Sequence, residues 1–454
     1  RSYRAADHVA LFCHSRSAGL ITVTPTARLS AAVEVLVAID RDRKPAAAVL
    51  KDWGTTHRFA GSGDRAAIAG LVYDVLRRQS SSAWIMGADT PRARLLGMLK
   101  CERRLDVAQI SSLCSGDRFA PAMLNDDERA ALASGSLADA PPHVAGDYPE
   151  WLDPFLNRAF GEERIEEATA LAHRAPLDLR VNTLKGRPDS ALASLKHLGA
   201  KPAPWSPVGL RIEIGADARS PGIQAEPDFL KGIVEVQDEG SQLAALFTRA
   251  KSGEQVLDLC AGAGGKTLAL AAMMGGRGRL IATDRDKRQL APIHERLSRA
   301  GVHNAEVRSP KGDDLLHDLA TSCDLVVVDA PCTGSGTWRR NPDAKWRIRP
   351  GALEIRRNDQ IEVLERAAPL VKRGGRLVYI TCSILPQENG EQIDGFLKRH
   401  TNFTVMPVGD IASFLGERAE KFRRSILISP QGILMTPRRT GTDGFFVSVL
   451  KKDR

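Results

Sequence analysis

A chain of 454 residues, 43% hydrophobic and 26% charged, has the profile of an ordinary globular protein of two to four domains. Its apolar runs stay short of the ~18–20 residues of a membrane span. Seven cysteines without a Cys-x-x-Cys pair read as reduced thiols of a cytoplasmic protein, and ten histidines without metal-ligand spacing argue against a metal. The net charge of +9 suits nucleic acid as a partner, although many soluble proteins are mildly basic.

Arg1-Ser2-Tyr3-Arg4 leads into no apolar signal stretch, and without an initiator Met a trimmed start is expected. Thr24-Pro25 combines an N-cap with a first-position proline, and Leu29, Val33, Leu36 and Val37 follow at helical spacing. A second helix is predicted from Asp64, with Ile68, Leu71, Val72, Val75 and Leu76 on one face. A third is predicted after Pro91, through Leu95, Leu96 and Leu99. Residues 1–135 are therefore expected to form an all-α bundle. Residues 131–147 are small, polar and proline-bearing, and read as a linker. Apolar structure resumes at Trp151, Leu152 and Phe155. Alternation in 179–182 and 210–214, with a helical stretch at 190–198, predicts a small α+β unit over 148–236. Strands predicted at 256–260, 280–283, 305–308, 325–328, 377–381 and 445–450 are mostly separated by helical segments. That pattern is an α/β, doubly wound parallel sheet over 237–454.

The run from Val256 to Thr267, VLDLCAGAGGKT, reads as strand, turn and helix start. Glycines let the backbone approach a ligand, and a helix N-terminus is electropositive. Asp284 ends the next predicted strand, where a carboxylate can bond ribose hydroxyls. Cys260, Ala261, Gly262, Ala263, Gly264, Gly265, Lys266 and Asp284 are thus candidates for holding a nucleoside-type cofactor. The alternative is a tight turn in an unrelated α/β domain. Cys260 stands where a P-loop needs glycine, and the Gly-x-Gly-x-x-Gly of nicotinamide sites is absent.

Cys332, in Asp329-Ala330-Pro331-Cys332-Thr333-Gly334, and Cys382, in Thr381-Cys382-Ser383, each follow a predicted strand. In open α/β sheets chemistry gathers where parallel strands end. Two thiols there, downstream of a glycine turn, point to covalent chemistry beside a bound cofactor. Buried packing is the commonest fate of a free cysteine and the alternative for either.

Together with Gln237-Asp238-Glu239-Gly240-Ser241-Gln242, Arg339-Arg340-Asn341-Pro342-Asp343-Ala344-Lys345-Trp346, Glu388-Asn389 and Asp443-Gly444-Phe445-Phe446, these motifs fall in one order. In that order the sequence resembles the RNA cytosine-C5 methyltransferases of the Nol/Nop/Sun type across nearly the whole chain. The resemblance is nearest to the bacterial branch that acts on small-subunit ribosomal RNA and carries an antitermination-factor-like (NusB-like) N-terminal domain. Two departures stand out. The family loop usually reads Ala-Ala-Pro-Gly-Gly-Lys-Thr, where this chain has Gly262 and Ala263. Gly390 separates Glu388-Asn389 from Glu391, where a second Glu usually follows directly.

The resemblance implies a Rossmann-like sheet dependent on S-adenosylmethionine, preceded by an all-α NusB-like domain and a small α+β RNA-binding domain. RNA is the implied partner, small-subunit ribosomal RNA foremost; a monomer without metal or membrane is expected. The resemblance assigns the nucleophile to Cys382, adding to carbon 6 of cytosine so that carbon 5 can take the methyl group. It assigns release of the adduct to Cys332 and the cytosine edge, bordering the cofactor, to Asp329, with Lys266 in the same pocket. Asp284 and Asp313 (Asp314 being the alternative) would hold the cofactor's ribose and adenine. Arg339, Arg340, Lys345 and Trp346 suit phosphate contact and base stacking, or else a solvated loop with a buried Trp. Arg180 and Asn182 suit RNA contact or edge-strand polarity equally. A DNA methyltransferase would use Cys332 instead. Transfer RNA as substrate, or a non-catalytic assembly factor with a vestigial site, are the other readings.

Overall fold

The computed structural model describes residues 23–215, 221–310 and 316–453. The three predicted N-terminal helices are present as Pro25–Asp42, Ser62–Arg77 and Pro91–Cys101. Thr24 and Thr90 cap the first and last, accepting the amides of Ala27 and Ala93. Helices Ala46–Thr56, Gln79–Met86, Val107–Leu113 and Asp126–Ser134 join them, the last two opened by capping boxes. All surround one core that includes Leu36, Ile68, Val72, Leu96 and Met98.

Residues 131–147 are not a linker. Val144 is buried, and the buried Asp147 carboxylate accepts the Ser81 amide at 3.0 Å and the Ser81 hydroxyl at 2.8 Å. The small residues that suggested freedom serve close approach instead. A Cβ at Gly135 would stand 2.4 Å from the Ile85 carbonyl oxygen.

Strands β1 (Leu177–Val181), β2 (Lys201–Pro202), β3 (Gly209–Ile212) and β4 (Val234–Val236) form an antiparallel sheet in the order β2-β3-β1-β4. Leu179 and Val181 meet Leu210, Ile212 and Val234 in a small core. The alternate residues of β1, Asp178 and Arg180, are equally buried, because that face lies against the C-terminal region. Asp178 pairs with Arg211 at 2.7 Å, and Arg180 donates to Gln237 at 2.7 Å. The Asn182 amide donates to the carbonyls of Gly232 and Ala300 at 2.9 and 2.8 Å. Neither reading of Arg180 and Asn182 holds: they are interface residues, neither RNA-facing nor edge-exposed.

The large sheet comprises β5 (Gln255–Asp258), β6 (Arg279–Thr283), β7 (Ala305–Arg308), β8 (Cys323–Asp329), β9 (Val371–Thr381), β10 (Phe403–Val405), β11 (Leu427–Ser429), β12 (Gly432–Met435) and β13 (Phe445–Lys452). Their order is β11-β12-β13-β9-β8-β5-β6-β7, with β10 also beside β13. Strands β9, β8, β5, β6 and β7 are parallel, and the buried apolar runs of β5, β6, β8 and β9 fit a sheet covered on both faces. The all-parallel expectation is corrected at β13, which pairs antiparallel with β9. Chain order reverses between β5 and β8, so their ends diverge and open a crevice. Among the described residues no helix is long and apolar enough to cross a membrane.

Candidate active site

A cavity of about 780 Å³ occupies that crevice, a size common for small-molecule sites. Cys260, Ala261, Gly262, Ala263, Gly265 and Lys266 line it, where β5 turns into helix Gly265–Met273. Gly262 and Gly264 take left-handed backbone angles, φ +49° and +85°, which L side chains resist. Gly262 faces open space, with no atom within 4 Å of where a Cβ would stand. Gly264 does not line the cavity; a Cβ there would meet Ile293 Cγ1 at 2.5 Å. Its glycine is required by the neighbouring helix rather than by a ligand.

Asp284 lies just beyond β6 on the cavity wall. Its carboxylate accepts the Gly262 amide at 2.9 Å and the Asp286 amide at 2.8 Å, which locks the turn to the acid. Open space over the turn, with a carboxylate beside it, fits the ribose end of a nucleoside cofactor. Asp313 and Asp314 lie outside the described residues.

Parallel pairing of β8 with β9 sets Asp329 beside Ile380 and brings the two loops that follow together. Cys332 Sγ and Cys382 Sγ stand 3.4 Å apart, and both cysteines line the cavity. The hydrogen bond with Cys382, then burial, hold the Cys332 thiol well above the usual thiol range. Lys266 Nζ donates to Asp329 Oδ2 at 2.8 Å and Ser241 Oγ at 3.2 Å, and lies 5.2 Å from the centre of the Phe445 ring. Ser241 also accepts from Gln237, which Arg180 holds from behind. Three side chains thus fix the ammonium, while the Asp329 carboxylate remains 34% exposed toward the cavity.

Sequence reasoning gave Glu388 no role, yet it braces both cysteine loops. Its fully buried carboxylate accepts the Thr333 amide at 2.8 Å, the Thr333 hydroxyl at 2.5 Å, the Ser383 hydroxyl at 2.5 Å and the Gln360 amide at 3.1 Å. The Glu388-Asn389 motif marked its position, but nothing in the polar run around it indicated that it would brace the loops. Helix Pro350–Ala367 was missed too, and it turns Arg356, Asp359, Glu362, Val363 and Arg366 to the cavity. Their spacing of three, three, one and three residues is a helical face that could have been found.

The basic segment after Cys332 is not a free RNA-binding face. Arg339 pairs with Asp443 and, at 3.1 Å, with Asp238; Arg340 reaches the same two carboxylates at 2.6 and 2.8 Å. Lys345 is buried, its amine donating to the Arg77 carbonyl at 2.8 Å, and burial pushes its pKa down to about 7. The Trp346 indole donates to the Leu76 carbonyl at 2.6 Å. The C-terminus of helix Ser62–Arg77 covers this loop, so its cations and its indole are spent on docking.

The sheet order and the turn-and-carboxylate site define a Rossmann-like methyltransferase, and known proteins agree. The solved structure of PH0851 matches with a TM-score of 0.68, at 25% identity over 94% of this chain and 99% of that one. A methyltransferase homolog protein from Pyrococcus horikoshii matches with a TM-score of 0.56, at 27% identity over 70% and 99%. Residues 148–219 match the RsmF/B-like ferredoxin-like domain, and residues 245–451 the family of 16S rRNA methyltransferases RsmB/F. The probable ribosomal RNA small subunit methyltransferase B of Synechocystis sp. is 30% identical over 366 residues, 77% of either chain. The chain belongs to the RsmB/F family of rRNA methyltransferases.

Proposed function

We propose that the protein transfers a methyl group from S-adenosylmethionine to carbon 5 of a cytosine in small-subunit ribosomal RNA, through a covalent bond from Cys382 to carbon 6. The observation that carries this reading is the 3.4 Å contact of the two thiols in a cavity shared with the Lys266–Asp329 pair and the glycine turn.

Carbon 5 of cytosine is a weak nucleophile. Addition of the Cys382 thiolate at carbon 6 makes the ring enamine-like, splitting one hard step into easier ones. Asp329, oriented by Lys266, gives a proton to the cytosine edge as the adduct forms and takes it back when the adduct breaks down, so that no charge is left on the ring. When bound, the cofactor supplies an electrophilic methyl group; the turn 260–266 and Asp284 would hold it. Cys332, kept neutral by its raised pKa, gives its proton to the departing Cys382 sulfur and recovers one from carbon 5. The ring then regains aromaticity with the proton count unchanged.

The family and the printed name of the Synechocystis relative favour small-subunit ribosomal RNA. In this reading residues 1–135 are a NusB-like RNA-binding unit, 148–236 a second RNA-binding unit and 237–454 the catalytic unit. The free thiols among the described residues favour a reducing compartment, the cytoplasm. Incubation with labelled cofactor and unmodified ribosomal and transfer RNA, followed by bisulfite mapping, tests the reading. One 5-methylcytosine in small-subunit RNA is expected. Modification of transfer RNA alone moves the substrate; a methyl group found elsewhere than carbon 5 overturns the chemistry.

A further inference from the structure

A second cavity, of about 320 Å³, adjoins the cysteine loop. Cys332 lines the first cavity and Thr333 the second, so consecutive residues, their Cα atoms about 3.8 Å apart, form the wall between them. The first cavity is lined wholly by residues between 237 and 382. The second combines Ala47 and Tyr73 of the helical region with Thr333, Asn341 and Arg347. It does not exist without the docked helices.

Its polar groups are available. Neither the Tyr73 hydroxyl nor the Asn341 side-chain amide has a hydrogen-bond partner among the described residues. Arg347 holds Asp343 through Nε and Nη2, each at 3.1 Å, which leaves Nη1 for another acceptor. The Asp343 carboxylate in the same wall is engaged at Oδ2 by Arg347 and by the Ala46 amide at 3.1 Å, so the guanidinium offsets its charge and Oδ1 remains as an acceptor. An aromatic ring, an amide that both donates and accepts, and a spare guanidinium edge are the groups that recognise one unstacked nucleotide.

We infer that this cavity receives the nucleotide adjacent to the target cytosine, with Tyr73 against its base, Asn341 on its base edge and Arg347 toward its phosphate. The inference rests on the RNA cytosine methylation proposed above. Moving a cytosine into the first cavity unstacks its neighbour, and the wall one residue thick sets that neighbour at the second. The helical region then contributes to substrate choice at the reaction centre itself, beyond holding RNA at a distance.

The experiment uses the full chain and RNA carrying the mapped target cytosine, with each neighbouring position changed in turn to every other base. The wild type is expected to prefer one base at one of the two neighbouring positions. Asn341→Ala is expected to lose that preference and raise the RNA KM about 10-fold or more, with kcat and cofactor affinity nearly unchanged. Tyr73→Leu is expected to raise KM similarly, and Tyr73→Phe, which keeps the ring, to recover most of it. An Asn341→Ala protein with the wild-type preference and KM overturns the inference while leaving the methylation reading standing. A wild type that methylates no RNA overturns that reading and this inference with it.

Discussion

Lys266 and Arg339 both meet carboxylates, but in different surroundings. The partner of Lys266, Asp329, stays 34% exposed and faces the cavity. The partners of Arg339, Asp238 and Asp443, are 7% and 3% exposed and tie the loop after Cys332 to the C-terminal strand. There Gly336 and Gly444 touch so closely that a Cβ on Gly336 would lie 2.1 Å from the Gly444 carbonyl oxygen. Both clusters carry motif residues of the same chemical types. Only the first keeps a carboxylate facing the cavity to offer a substrate; in the other both carboxylates are buried beneath their arginines, and the cluster is a clasp.

Substitutions can break this contrast or sharpen it. Cys382→Ala is expected to reduce methyl transfer to background while the thermal midpoint hardly moves, read by labelled-methyl incorporation and calorimetry. Lys266→Met frees Asp329 from its orienting partner and is expected to lower kcat about 10²–10³-fold, a loss typical for an electrostatic group at a reacting centre. Glu388→Ala tests a mixed case, buried like the clasp yet bracing both thiols. A kcat loss of about 10²-fold is expected from misplaced sulfurs, together with lowered stability. Asp443→Ala leaves two arginines, one of them buried, sharing the Asp238 carboxylate alone, and is expected to cost about 3 kcal/mol in chemical denaturation. If Asp443→Ala lowered kcat as strongly as Lys266→Met without loss of stability, the contrast would fail.

The smallest expected effect is a pH dependence of stability. Burial pushes the Asp258 carboxyl up to about 7, and its Oδ1 has no hydrogen-bond partner among the described residues. As pH rises above the ordinary carboxyl range of about 4, the unfolded chain releases this proton while the folded chain keeps it. The contribution of Asp258 to stability therefore falls between about pH 4 and 7 and then levels off. Asp258→Asn removes that fall, so its stability relative to the wild type should increase from pH 5 to pH 8, measured by denaturation midpoints.

Much of the sheet was legible because β5, β6, β8 and β9 are apolar runs bounded by turn residues. β7 was found with its bounds intact. Strands β10 to β12 were not, because β10 and β11 have three residues each and β12 opens on a glycine, which leaves too little pattern. Helices Ala46–Thr56 and Gln79–Met86 also escaped, since Ala-rich and Ser-rich stretches show a weak apolar face. The placement of the cysteine pair, Lys266 and Asp284 around one cavity was legible from positions after strands and turns, whereas Asp329 entered only through the family resemblance. What each cation faces was not legible: Arg180, Arg339 and Lys345 look solvent-ready in sequence, and only the packing of three regions shows them buried. The small residues of 131–147 misled for a related reason, because the same residue types serve freedom and close contact.

In the proposed mechanism Cys382, not Cys332, forms the bond to RNA. Target RNA carrying 5-fluorocytosine traps such an adduct, because fluorine at carbon 5 cannot leave as a proton does. The trapped peptide would be identified by mass spectrometry in the wild type, Cys382→Ala and Cys332→Ala proteins. The adduct is expected on Cys382 in the wild type, to persist in Cys332→Ala and to be absent from Cys382→Ala. An adduct on Cys332 that survives in Cys382→Ala would contradict that mechanism.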